Sequence, residues 1–344
     1  MEAAHESQSA VTEQYTVKLN ASVALKLASI GQQSPQGITT GPIYGFDGVE
    51  SNIISVTHTI AFPSSAQFGS SNNDDFFNLR TSNQKFQQEY LSKLKASNYT
   101  ANLLGWFVIS SGGKFISQSL ADSLYQLQET FRSNKSEIPS LLVVYDPLKS
   151  VDGFLNLKCY KLSDAFLKTI QSDGKFIAKN LIENKLSYKN IIEPLALTIK
   201  SNHLTNLKIQ EFNLDDASNE LDNLSIGPST YEYIKLTTDQ LSDSVHQLNH
   251  NLGNLNYFQR NLSREIAKIT KWEQKVKQDN EDKLKANPKA KLANTDWRKE
   301  FKLMPPSSKF DYLVASGSVN NICNNLQVTE NIEYVKAVGI DKSI

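Results

Sequence analysis

Five histidines, two cysteines and one glycine pair are the residues that could do chemistry in this chain. Zinc-assisted hydrolysis needs about three protein ligands, usually His with Asp or Glu, and one open coordination position. His5, His58 and His203 are scattered, and the sequence assigns them structural or surface roles. His246 and His250 stand four apart, which places two ligands on one helix face. The residues between them are Gln247, Leu248 and Asn249, so the Glu that would serve as base is missing. Cys159 alternates with Leu155 and Leu157 on a strand pattern and reads as a core thiol. Gly112-Gly113 interrupts an apolar run that leads into a helix, a common place for a site. Its flanks lack the Lys and Ser/Thr spacing of a phosphate loop, and Val, Ile and Ser fill the positions that could carry chemistry. The residues predict no metal, no cofactor and no nucleophile.

The elements that must hold this stretch alternate along the first half of the chain. Apolar alternation at 15–19 predicts a strand, and Val23, Leu27 and Ile30 behind Asn20 predict a capped helix. A β-branched run over 38–46 meets Asp47-Gly48, a hairpin turn signal, and a strand returns over 50–62. A helix over 76–96, a strand over 103–109 and a helix over 119–131 follow. SLLVVY at 140–145 reads as a strand buried on both faces, and FLNLKCYKL at 154–162 as its half-buried partner. Helical pieces over 166–182, a strand over 194–199 and a short helix over 203–212 complete an α/β (α+β) domain with a mixed central sheet. The division expected is a disordered tail at 1–13, the α/β domain at 14–212, a linker at 213–228 and a helical assembly region at 229–344.

Past the linker the period changes. Leu241, Val245, Leu248, Leu252, Leu255, Leu262, Ile266, Ile269 and Val276 follow steps of four and three, broken at Gln259 and at Trp272/Glu273. This is a heptad stripe on one helix over roughly 238–285. A stripe that long must bury itself against other helices. A last amphipathic helix over 310–326 carries Phe310, Leu313, Val314 and Ile322. These residues, with the stripe from Leu241 to Ile269, are the expected assembly interface. In the heptad register His246 and His250 face outward. A basic cluster over 268–291 is interleaved with acids and reads first as a solvated face, with RNA contact as the alternative.

Equal numbers of basic and acidic residues, 36 each, remove any whole-molecule signal for nucleic acid. No apolar run approaches the 18–20 residues or so needed to cross a bilayer. The first residues lack the basic and apolar regions of a signal peptide, and two unrelated cysteines fit a reducing compartment. A mean hydropathy of -0.40 fits a soluble chain, and a cytoplasmic location is expected.

Gly41 and Gly45 in TTGPIYGF, the strand end Gly105-Trp106-Phe107, Tyr145-Asp146-Pro147 and the strand over 155–162 resemble the MPN domain family, in that order. Active members cleave isopeptide bonds at a zinc site built from an upstream Glu, His-x-His-Pro, a Ser and an Asp. The resemblance places Ile38 at the Glu position, Val108 and Ser110 at the two histidines, Ser111 at the Pro, Gln118 at the Ser and Ala121 at the Asp. Asp122 is one residue off. It therefore implies a non-catalytic member rather than a metal-dependent isopeptidase.

Inactive MPN chains are scaffolds in the proteasome lid, the signalosome and translation initiation factor three. WFVISSGGKFISQSLADS, DPLKSVDGFLNLKCYKL, LTIKSNHLTNL and the region 297–326 (Phe301, Lys302, Pro305-Pro306, Asp311, Leu313, Gly317, Asn320, Cys323) are similar to the initiation-factor branch. The resemblance implies pairing with that factor's other MPN subunit, the f subunit. It also implies a helical bundle shared with PCI subunits, and support of small-ribosomal-subunit and mRNA recruitment.

Overall fold

The computed structural model describes residues 15–33, 37–48, 52–63, 77, 81–99, 101–133, 138–150, 155–172, 176–215, 230–286, 296–303 and 308–341. The expected tail at 1–13 and most of the expected linker lie outside them. The first half contains β1 (Thr16–Asn20), α1 (Ala21–Gln33), β2 (Thr39–Gly48), β3 (Ile53–Thr59), α2 (Thr81–Ala96), β4 (Asn102–Ile109) and α3 (Gln118–Ser133). It continues with β5 (Leu141–Tyr145), β6 (Leu157–Leu162), α4 (Asp164–Gln171), α5 (Ala178–Glu183), β7 (Ile192–Lys200) and α6 (His203–Asp215). The second half is α7 (Thr230–Ala286), a 3-10 turn (Trp297–Lys299) and α8 (Phe310–Asp341).

Local chemistry sets the element ends. Asn20 Oδ1 accepts from the Ser22 amide at 3.3 Å and starts α1. Ser117 and Ser163 hydroxyls accept from Leu120 and Phe166 amides at 3.2 and 3.1 Å and start α3 and α4. The expected turn at Asp47-Gly48 is instead part of the ladder, because Asp47 pairs with Ile54 and Gly48 with Ile53.

The sheet is mixed and closes on itself in the order β1-β3-β2-β4-β5-β6-β7. β1 completes the barrel by pairing in parallel with both β3 and β7. β4 and β5 are parallel, and the remaining neighbours are antiparallel. One apolar cluster draws on all seven strands and α1, with Leu27, Ile54, Phe107, Val143 and Cys159 among its buried members. The second sits on the other face of β4 and β5, where Trp106, Val108, Leu142 and Val144 meet α3, α4 and the start of α8. Cys159 is 1% exposed, and burial pushes its thiol up to about 12.

Two helices are longer than the periodicity suggests. α7 begins eight residues before the expected 238, and α8 runs to Asp341 rather than 326. Thr237 and Thr238 have weak helix propensity, but their hydroxyls donate back to Tyr233 O at 2.9 Å and Ile234 O at 2.7 Å. Thr329 does the same to Asn325 O at 2.9 Å. Tyr233 lies beside Thr329, and Trp272 packs edge-on against Phe301 ahead of α8, with ring centres 5.7 Å apart. The start of α7 thus meets the later part of α8, and the two helices run antiparallel.

Gly105 sits where β4 passes β5 opposite Leu141. A Cβ there would collide with the Leu141 backbone carbonyl, which the sheet holds fixed. Gly105→Ala is expected to cost about 3 kcal/mol in urea unfolding, a value at the upper end for overpacking because backbone must move. An unchanged midpoint and slope would contradict this register.

Candidate functional site

β4 delivers Ser110, Ser111 and the Gly112-Gly113 turn to the start of α3. Both glycines have positive φ, 86° and 103°, a region open to glycine at little cost. Their bareness also lets two helices approach. A Cβ on Gly112 would strike Gln240 of α7, and one on Gly113 would strike Asn325 of α8.

Asn325 makes the central contact. Its Nδ2 donates to the Gly112 carbonyl at 3.2 Å, and its Oδ1 accepts from Lys149 Nζ at 2.9 Å. The Lys149 ammonium lies 5.9 Å from the centre of the Tyr233 ring on α7. The Asp146 carboxylate accepts from the Leu148 and Lys149 amides at 3.1 and 3.3 Å. Burial holds the Asp146 carboxyl above the usual carboxylate range. The Lys149 backbone N–H and ammonium, and the Gly112 and Leu148 amides, pull the other way. Burial likewise lowers Lys149, against the attraction of Asp146.

Beside this knot lies a cleft of about 190 Å³, lined by residues including Ser110, Asp146, Lys158, Tyr160, Asn321 and Asn324. α8 forms one wall of it. The Ser110 hydroxyl is engaged, donating to the Lys114 carbonyl at 2.7 Å. Among the described residues no three His, Cys, Asp or Glu side chains gather where a metal ion could be held. Within them, no helix is long and apolar enough to cross a membrane.

Of the positions that the MPN resemblance equates with the zinc-site motif, the five at side-chain roles fall as follows. Val108 and Ala121 are buried in one apolar cluster, and Ile38 packs against it. Ser110 is buried at the strand end, and Gln118 is exposed at the first turn of α3. His246 and His250 are both exposed on α7.

The expected assembly residues separate into two groups. Phe310 (2% exposed), Leu313 and Ile322 are buried within this chain; Phe310 stacks on Phe176 with ring centres 4.4 Å apart. Ile269 is buried, and Val314, Leu241, Leu248, Leu255 and Leu262 are half-buried. Val245, Leu252 and Ile266 remain 37%, 36% and 49% exposed. They recur every seven residues, with Gln259 at the step between. The knot at Asn325 left no trace in sequence periodicity, because its partners lie up to 213 residues away.

A family profile described as the C-terminal region of eIF3h matches residues 150–342. The chain is 30% identical over 337 residues to the H subunit of eukaryotic translation initiation factor 3 from Yarrowia lipolytica, covering 90% of this chain and 93% of that protein. The chain belongs to the eIF3h family. The like-named protein of Neurospora crassa is 28% identical over 92% of this chain and 93% of its own length. That of Nematostella vectensis is 27% identical over 81% and 79%. Members of the eIF3h family are by name parts of a multisubunit translation initiation factor, which ties this chain to translation initiation.

The raised Asp146 carboxyl gives a pH signature. The folded chain holds this proton more tightly than the unfolded chain, where Asp titrates near 3.9 or so. Its contribution to stability therefore falls as pH rises from about 4 to the raised value, and stays lost above it. Asp146→Asn keeps an acceptor for the two amides and removes the titration. Urea unfolding across this pH range should show the variant gaining on the native chain as pH rises. A constant difference would contradict the assignment.

Proposed function

We propose that this chain is a non-catalytic scaffold component of translation initiation factor 3. Residues 14–212 are an inactive MPN-type domain, 213–228 a linker and 229–344 an assembly region. The domain pairs with the factor's other MPN subunit, the f subunit. The helices join those of PCI subunits in a bundle that supports recruitment of the small ribosomal subunit and mRNA in the cytoplasm.

The observation that carries this reading is the uncovered apolar seam of α7, Val245, Leu252 and Ile266 at heptad spacing. α8 occupies the neighbouring side of the same stripe, and its far end adds exposed Val328, Val335 and Val338 at helical spacing. Apolar residues at a heptad period fit a helical partner, since each can insert between four side chains of a facing helix. The absence of catalysis is supported by the apolar surroundings of Val108, Ala121 and Ile38. A metal-bound water could not be held or activated by side chains of that type.

The test is a full-length Val245→Asp/Leu252→Asp/Ile266→Asp variant, tagged and purified from cells with its partners. Burying three such side chains is worth about 5 kcal/mol in total, so the other subunits should be lost from the purified complex. Far-UV circular dichroism and thermal unfolding of the chain should stay unchanged, because these side chains are exposed in it. Full recovery of the partners would overturn the proposal.

A further inference from the structure

α7 advances about 100° per residue, so its side chains divide into sectors. One side, holding Thr237, Ser244, Leu255, Leu262 and Ile269, is buried or half-buried within the chain. The open apolar seam lies about a quarter-turn away. A third sector, roughly a further third of a turn on, holds Arg260, Arg264, Lys268, Lys271 and Lys275. Steps of four, four, three and four keep these five cations within an arc of about 80° and a length of about 22 Å. All five are exposed, and none makes an ion pair within 4 Å among the described residues.

Acids are sparse along the ridge. Between positions 244 and 278 the only carboxylates are Glu265 and Glu273; both are half-buried, about 100° and 180° around the helix from the centre of the ridge, and Asp279 and Asp282 follow beyond its end. Tyr257, 68% exposed, stands on the same arc just before Arg260. The whole chain carries no net charge, so this is a local concentration of positive potential.

We propose that this outer ridge of α7 binds the phosphate backbone of single-stranded RNA. Successive cations stand about 5–6 Å apart along one edge, a spacing that a flexible strand can follow phosphate by phosphate. Tyr257 offers an open ring on which a base can stack. A protein partner is less suited, since interface cores deplete lysine and three of the five ridge cations are lysines. RNA rather than DNA follows from membership of an initiation-factor family. The ridge and the apolar seam face different directions, so a helical bundle on the seam leaves the ridge open. The proposal does not depend on the scaffold reading, because its assay uses this chain alone.

The test is fluorescence anisotropy of the full-length chain with a labelled 20-nucleotide oligouridine across a salt series. Five phosphate contacts predict a slope of log K against log salt near -3.5 or so, falling to about -1.4 in K268Q/K271Q/K275Q, with at least a roughly tenfold loss of affinity at low salt. Tyr257→Ala should weaken binding and leave the slope unchanged. The control K85Q/K95Q/K185Q removes the same charge from exposed sites on the strand half and should retain the native slope. Equal losses in ridge and control variants, or native binding without salt dependence, would overturn the proposal. So would an intact RNA affinity in the ridge variant together with loss of an acidic partner from the purified complex.

Discussion

A side-chain amide on α8 links the helical half of the molecule to the turn of the strand half, and apolar packing at Phe310 links them again. Asn325 donates to the Gly112 carbonyl and accepts from the Lys149 ammonium, so both of its polar ends are engaged. A Cβ at Gly113 would displace the Asn325 amide itself, and one at Gly112 would push aside the end of the Gln240 side chain. Lys149 and Asp146 are held there at a desolvation cost, seen in the lowered ammonium and raised carboxyl. The apolar anchor lies at the other end of the contact, where Phe310 packs on Phe166 and Phe176.

Fixing α8 in this position divides the surface of α7. The heptad stripe no longer presents both of its columns. Leu248, Leu255, Leu262 and Ile269 are at least half-covered, while Val245, Leu252 and Ile266 stay open. A bundle built on this chain would thus add its helices to an existing antiparallel pair rather than to a lone helix. The strand end that leads to Gly112 reinforces this division of labour. Its neighbours Val108 and Ala121 build an apolar core, and the chemistry of the turn goes into holding helices.

Most strands and the identities of the helices were legible in the sequence. Alternation located β1 and β6, and the continuous run SLLVVY located β5. Asn20 marked the start of α1, and its side chain does cap that helix. Closure of the sheet was not legible, because parallel pairing of β1 with β3 and β7 leaves no local signal. The first turns of α7 were missed because threonines weaken helix propensity unless their hydroxyls fold back, as Thr237 and Thr238 do. Phe310, Leu313 and Ile322 carried the amphipathic pattern expected of an interface, but pattern alone cannot say whether the covering surface belongs to the same chain. The Asn325 knot was invisible for the same reason: an asparagine 176 residues from its lysine carries no periodicity.

The most direct measurement is amide hydrogen exchange on the native chain and on Asn325→Ala. Loss of both Asn325 hydrogen bonds should release about 1.4 kcal/mol or more of local stability. Exchange at residues 112–115 and 233–240 should accelerate at least about tenfold, with the strand core unchanged. Unaltered protection in both segments would contradict the claim that this amide holds the helices to the turn.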